Sequence, residues 1–235
     1  MSIGPTVVTE ELVLALDAAD PRSYPGSGAD WFGLTSTNGK ANLNNGPTFE
    51  DNNYISFDGT NDYGSFATEY AFQTGNGTMF SFELWFKMRT LPTTTYGANG
   101  HIWGGENGND VVIYLNPVSD GVSRGILIYD DTRYNTSMMT TGGFTADTWS
   151  QWVMTGNGTD NTVTHYINGE FDRGPTGIEP TSQYVRNWGG TRFAYDSRWG
   201  TYSTLDLAIA RQYMKELTAD EVAQNFNAQK SRFGL

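Results

Sequence analysis

Oxygen donors suited to a hard cation crowd three short stretches of this 235-residue chain. FDGTNDY (57–63) sets Asp58 and Asp62 four positions apart around a Gly-Thr-Asn turn. GGENGND (104–110) carries Glu106, Asn107, Asn109 and Asp110, and Asp130 and Asp131 are adjacent. Calcium takes roughly six to eight oxygens at about 2.3–2.6 Å, so each stretch would need partners from other loops. Asp58 and Asp62 are therefore a candidate calcium site. The plainer expectation is that both carboxylates accept backbone N–H groups in an Asx-type turn. No other cofactor is expected.

A second chemistry is the stacking of aromatic rings on the apolar face of a pyranose, with amide, carboxylate and guanidinium groups for its hydroxyls. YVRNWGGTRFAYDSRWGTYS (184–203) supplies Trp188, Tyr195, Trp199 and Tyr202 among Asn187, Asp196 and Arg198. TTTYGANGHIWGG (93–105) adds Tyr96 and Trp103. Trp, Tyr and Arg also dominate protein hot spots, so these residues are candidates for a glycan or for a protein partner. A core competes for the same rings, since burying each stabilises by roughly 2–3 kcal/mol. Trp199 and Tyr195 are the two expected to stay exposed.

Glycoside hydrolysis needs two carboxylates facing each other across the sugar, roughly 5–9 Å apart. Glu83 is the obvious candidate, in MFSFELWFKM (79–88), yet its same-face neighbours are Ser81, Trp85 and Lys87. With no second carboxylate beside it, Glu83 is expected at the surface or rim, paired with Lys87. His101 and His165 are far apart and lack a second histidine at ligand spacing, and the chain has no cysteine. Both are expected to be packed or hydrogen-bonded, and the protein is expected not to be an enzyme.

The elements that must position these groups are strands. With 28 glycines and 14% aromatic residues the chain is too glycine-rich for a helical bundle and too aromatic for disorder. Phe80, Phe82, Leu84, Phe86 and Met88 alternate with Ser81, Glu83, Trp85 and Lys87, which predicts a central strand. Similar runs recur at 110–115, 125–130, 149–156, 162–167 and 205–213, separated by Gly/Asn/Asp/Thr clusters. Asn168-Gly169 in YINGEF predicts a two-residue type I′ hairpin. Thr218 and Glu221 form a capping box, with Leu217 and Val222 as its hydrophobic staple, and Val222 and Phe226 face the sandwich at i, i+4 spacing. One short C-terminal helix is expected there. No linker composition interrupts the chain, which predicts one domain over 1–235, with 1–11 as an N-terminal arm.

The formal net charge is −12 and the 14 Lys and Arg are scattered, so neither nucleic acid nor an anionic membrane is an expected partner. The first residues lack a basic start and a long apolar run, so no signal peptide is expected.

Five stretches in this order carry a resemblance: LVLALDAADPRSYPGSGADW (12–31), NNGPTFEDNNYISFDGTNDY (44–63), FSFELWFKM (80–88), WVMTGNGTDNTVTHYINGE (152–170) and the segment 205–235. Together they resemble the laminin-G-like jelly rolls of the concanavalin A-like lectin/glucanase superfamily. SYPGSG, FDGTNDY and EVAQNFNAQKSRFGL resemble structural proteins of tailed bacteriophages, notably those of cyanobacteria. The resemblance implies an all-β jelly-roll sandwich of two antiparallel sheets with one short C-terminal α-helix. It also implies a non-enzymatic virion structural protein, made in the host cytoplasm, that decorates the capsid or forms part of a tail or fibre. Other virion proteins, further copies of the chain and a host surface polysaccharide are its implied partners. A free-standing carbohydrate-binding lectin is the alternative, and a glycoside hydrolase the second.

Overall fold

The computed structural model describes residues 5–35, 39–66, 79–94, 99–104, 112–117, 124–130, 133–134, 140–160, 162–177, 192–197 and 199–235. Of 112, 116–117, 124–130 and 133–134 it describes the backbone alone. In chain order the strands are β1 (Leu12–Asp17), β2 (Asp30–Phe32), β3 (Lys40–Asn44), β4 (Thr48–Glu50), β5 (Tyr54–Ser56), β6 (Tyr63–Phe66), β7 (Met79–Met88), β8 (His101–Gly104) and β9 (Val112–Pro117). They continue as β10 (Arg124–Asp130), β11 (Arg133–Tyr134), β12 (Ser150–Asn157), β13 (Thr162–Ile167), β14 (Glu170–Gly177), β15 (Arg192–Phe193), β16 (Tyr195–Asp196), β17 (Thr201–Tyr202) and β18 (Leu205–Tyr213). The helix α1 (Ala219–Gln229) and a 3-10 turn, Lys230–Phe233, follow.

Sheet 1 runs β14-β13-β12-β7-β18-β5-β4, with β1 beside the far half of β18. Sheet 2 runs β11-β10-β9-β8-β15-β6-β3-β2, and β16 and β17 form a separate two-stranded piece. Neighbours pair antiparallel throughout, giving the jelly-roll sandwich expected of the sequence. The predicted runs 79–88, 162–167 and 205–213 coincide with β7, β13 and β18; the runs 125–130 and 149–156 differ from β10 and β12 by one residue at an edge, as frayed strand ends do, and residues 110–111 of the run 110–115 lie outside the described residues. Asn168 (φ 52°) and Gly169 (φ 80°) are both left-handed between Ile167 and Glu170, as a type I′ hairpin requires.

The core between the sheets takes one face of each strand. Phe80, Phe82, Leu84, Phe86 and Met88 meet Trp31, Leu43, Phe66, Ile102, Trp103 and Phe193 from sheet 2. A Cβ at Gly64 would strike the Phe193 ring, so glycine lets that ring lie against β6.

The other face of sheet 1 is also covered. The capping box of α1 is present, with Thr218 Oγ1 accepting from the Glu221 N–H and the Glu221 carboxylate accepting from the Thr218 N–H. Leu217 and Val222 pack with Val8 and Tyr213. Phe226 and Phe233 stack on Trp85, with ring centroids at 5.7 and 4.5 Å. Among the described residues no helix is long and apolar enough to cross a membrane.

Candidate functional site

The FDGTND turn carries the chain from β5 in sheet 1 to β6 in sheet 2, at one end of the sandwich. The segment from β17 to β18 returns between the sheets at the same end. Thr204 there donates from N and Oγ1 to Asn99 Oδ1 at 2.9 and 3.0 Å, and its carbonyl accepts from Arg89 N. Within the turn, Asp58 Oδ1 accepts from the N–H groups of Thr60, Asn61 and Asp62 at 2.7, 3.2 and 3.4 Å, which is an Asx-type cap. Desolvation pushes the Asp58 carboxyl up, but these N–H donors outweigh it and hold it below the usual range. Asp62 is opposite in sign: burial, then the Asp58 charge, raises it, and among the described residues its carboxylate's one hydrogen bond comes from Asp58 N to Oδ2 at 3.3 Å. Among the described residues, no three acidic or histidine side chains gather as a metal-binding group. Glu106, Asn107, Asn109, Asp110 and Asp131 lie outside the described residues.

A different surface forms on the outer side of sheet 2. Its strands alternate, so Ala41, Leu43, Gly64, Phe66 and Phe193 face inward, while Asn42, Asn44, Tyr63, Ser65 and Arg192 face outward and stay partly exposed. Asn44 Nδ2 donates to Ser65 Oγ at 3.0 Å. Strict alternation would turn Tyr195 away from Arg192, three positions before it. Ala194 prevents this: it is buried with φ 64°, a left-handed conformation costing a non-glycine residue about 1–2 kcal/mol. The kink resets the parity. The Arg192 guanidinium then lies over the Tyr63 and Tyr195 rings, 5.3 and 5.1 Å from their centroids. Tyr195 stacks on Tyr202 at 4.4 Å, joined to it across the β16–β17 pair. Desolvation, followed by the charge of and hydrogen bond to Tyr195, raises the Tyr202 phenol, so it remains a neutral donor across the physiological range.

Several expected residues fall elsewhere. Trp103 lies wholly in the core, stacked on Phe193 at 5.0 Å, because it points inward from β8 and offers no face to a ligand. Asp196 is buried in the β16–β17 pair. Trp199 is 64% exposed beyond that pair. Trp188, Arg198 and Tyr96 lie outside the described residues. Tyr63 and Arg192 are members of the surface that the sequence reading missed. Tyr63 closes the FDGTNDY motif, so its position was on view, but only the kink at Ala194 joins it to Tyr195.

Glu83 is a correction. It is 0% exposed rather than at the rim, because α1 lies over it. Trp85 Nε1, Gln151 Nε2 and Arg211 Nη1 donate to its Oε1 at 2.9, 2.9 and 3.1 Å, and Asn225 Nδ2 donates to Oε2 at 2.9 Å. Lys87 instead pairs with Asp206 Oδ2 at 3.1 Å. A carboxylate sealed under a helix with four donors has no access to a substrate, so it cannot serve as a glycosidase acid. His101 and His165 are both buried; Trp152 Nε1 donates to His165 Nδ1 at 3.2 Å, which fixes that nitrogen as the unprotonated one.

The sequence matches the laminin-G-like family described as the concanavalin A-like lectin/glucanases superfamily over residues 58–223. Among curated proteins none matches it. Solved structures share the fold at low identity. A Trypanosoma rangeli sialidase mutant displaying trans-sialidase activity superposes with TM-score 0.69 and 17% identity over 96% of this chain and 34% of its own. The same organism's sialidase in complex with sialic acid gives 0.64 and 18%, over 97% and 36%. The botulinum neurotoxin serotype D binding domain gives 0.65 and 14%, over 93% and 52%. The chain thus spans about a third to a half of the length of these structures.

Proposed function

The chain belongs to the concanavalin A-like lectin/glucanases superfamily, and from that premise we propose that it is a non-catalytic recognition module that binds a glycan on the outer side of sheet 2. Tyr63, Tyr195 and Tyr202 supply ring faces and edges for the sugar, Asn42 and Ser65 supply hydroxyl partners, and the exposed Trp199 stands at the rim. The observation that carries this reading is the left-handed Ala194, since strain in a buried residue that serves to bring Tyr195 beside Arg192 is the mark of a site held for a purpose. The guanidinium favours a glycan bearing a carboxylate. One structural neighbour, a sialidase seen with sialic acid, supports a ligand of this kind. Glycan-array binding by the wild-type chain is expected to favour acidic glycans and to fall at least tenfold in Tyr195→Ala and in Trp199→Ala, with thermal stability kept. A flat array, or full binding by both variants, would sink the reading.

The setting we propose is a tailed-phage particle, where the chain decorates the capsid or joins a tail or fibre, as a homo-oligomer among other virion proteins, and engages a host polysaccharide. This part rests on the sequence resemblance of SYPGSG, FDGTNDY and EVAQNFNAQKSRFGL alone. Mass spectrometry of purified particles is expected to detect the chain at many copies; its absence would leave the free-standing lectin.

A further inference from the structure

Ser203 is the joint between the β16–β17 piece, which carries Tyr202, and β18 in the middle of sheet 1. A single residue brackets it. The Asn99 N–H donates to the Tyr202 carbonyl at 3.1 Å, and Asn99 Oδ1 accepts from Thr204 N and Oγ1 at 2.9 and 3.0 Å. Asn99 reaches both sides of the joint from a left-handed backbone, φ 65°. Asparagine and aspartate enter that region more readily than other residues with a side chain, and they alone bring a short carbonyl oxygen with them.

Thr204 is held from its other sides as well. Its carbonyl accepts from Arg89 N, its Oγ1 accepts from Thr90 N at 3.0 Å, and its methyl group lies against Gly59 of the FDGTND turn. A Cβ at Gly59 would come within 2.6 Å of that methyl, so the approach needs glycine. The turn that ends in Tyr63 and the link that follows Tyr202 are therefore packed on one residue. Both of those tyrosine rings meet Tyr195, at 5.3 and 4.4 Å between centroids. The link also meets the kink, because Ser203 N donates to the Ala194 carbonyl at 2.9 Å.

We propose that Asn99 is the positioning residue of the sheet 2 surface, a role that rests on the reading of that surface as a glycan site. By fixing the chain on both sides of Ser203 it presets the Tyr202 ring against Tyr195, and keeps the platform beside Arg192 assembled before a ligand arrives. Rings already gathered lose less freedom on binding than rings that must be ordered, so the gain is read as affinity.

Two substitutions separate the bracket from the backbone. Asn99→Gly keeps the left-handed conformation and removes Oδ1, whereas Asn99→Asp keeps both. NMR on the full chain reads the ring contact without any ligand. Overhauser cross-peaks between the Tyr195 and Tyr202 rings are expected in the wild type and in Asn99→Asp, and are expected to be lost in Asn99→Gly while those across the Asn168-Gly169 hairpin persist. Thr204→Val, which removes one of the two donors and leaves Asn99 whole, should weaken the ring cross-peaks in the same direction and by less. In titration calorimetry with sialyllactose as the probe, Asn99→Gly is expected to bind about tenfold more weakly and Asn99→Asp as the wild type does. Ring cross-peaks that survive in Asn99→Gly, or that vanish equally in Asn99→Asp, would overturn the inference. So would loss of the hairpin cross-peaks along with them, which would make Asn99 a residue of general stability. A wild type that does not bind sialyllactose sinks the acidic-glycan reading instead, and the ring cross-peaks then decide the positioning role by themselves.

Discussion

Glu83 and Asp62 are both almost wholly withdrawn from water, and their surroundings could hardly differ more. Glu83 is 0% exposed and receives four hydrogen bonds from side chains on β7, β12, β18 and α1. Asp62 is 6% exposed and, among the described residues, receives one, at 3.3 Å. Burial is thus a poor guide to function by itself, and the complement of donors is a better one. A carboxylate held by four donors has become a fastener, whereas one with a single long hydrogen bond carries a burial penalty for its charge. Glu83 fastens more than its own strand. Asn225, which donates to it, also accepts from Val8 N at 2.8 Å and donates to Tyr213 Oη at 3.0 Å, so the N-terminal segment, sheet 1 and α1 meet at one knot.

Breaking that knot should produce the largest effect. Glu83→Gln leaves Arg211, only 5% exposed in its side chain, without its counter-charge, and turns an amide N–H₂ toward a donor. The expected cost is about 3–5 kcal/mol, or on the order of 10 °C in melting temperature at this chain length. Denaturant melts check it. Pairing Glu83→Gln with Arg211→Met should recover much of the loss, because the uncompensated buried charge is then removed. A single variant that melts within a degree or two of wild type would break the contrast with Asp62.

The strands were legible because alternation needs only local spacing, and β7, β13 and β18 were bounded from it alone. The helix was legible because Thr218 and Glu221 cap within three residues. Glu83 was misread for the converse reason: its partners Arg211 and Asn225 stand 128 and 142 positions away, and nothing in FSFELWF says that a helix will close over its polar side. Trp103 and Trp199 carry the same ring, yet one points inward from β8 and the other stands in the turn between β16 and β17. The pairing of Arg192 with Tyr195 was hidden most deeply. It depends on a left-handed alanine, and alanine carries no turn signal of the kind that Asn168-Gly169 gave at the hairpin.

Asp62 offers the sharper, smaller test of the comparison, because its prediction runs opposite to that for Glu83. Its folded carboxyl titrates above the unfolded value, so the folded state holds its proton more tightly and ionisation penalises folding. Any stabilisation from this group is complete below the unfolded value and is lost as pH rises through the folded one. Asn keeps an oxygen for the Asp58 N–H and removes the charge. Asp62→Asn should therefore raise stability at neutral pH by about 0.5–1 kcal/mol, the scale of one partly screened charge interaction. The advantage should shrink as pH falls through the folded value toward the ordinary aspartate range. Asp58 has the reverse sign: its lowered carboxyl contributes stability at neutral pH that is lost on acidification, and it remains in the variant as an internal reference. Melting curves from neutral to acid pH separate the two. If Asp62→Asn destabilises at neutral pH as Glu83→Gln does, both carboxylates are fasteners and the contrast between them fails.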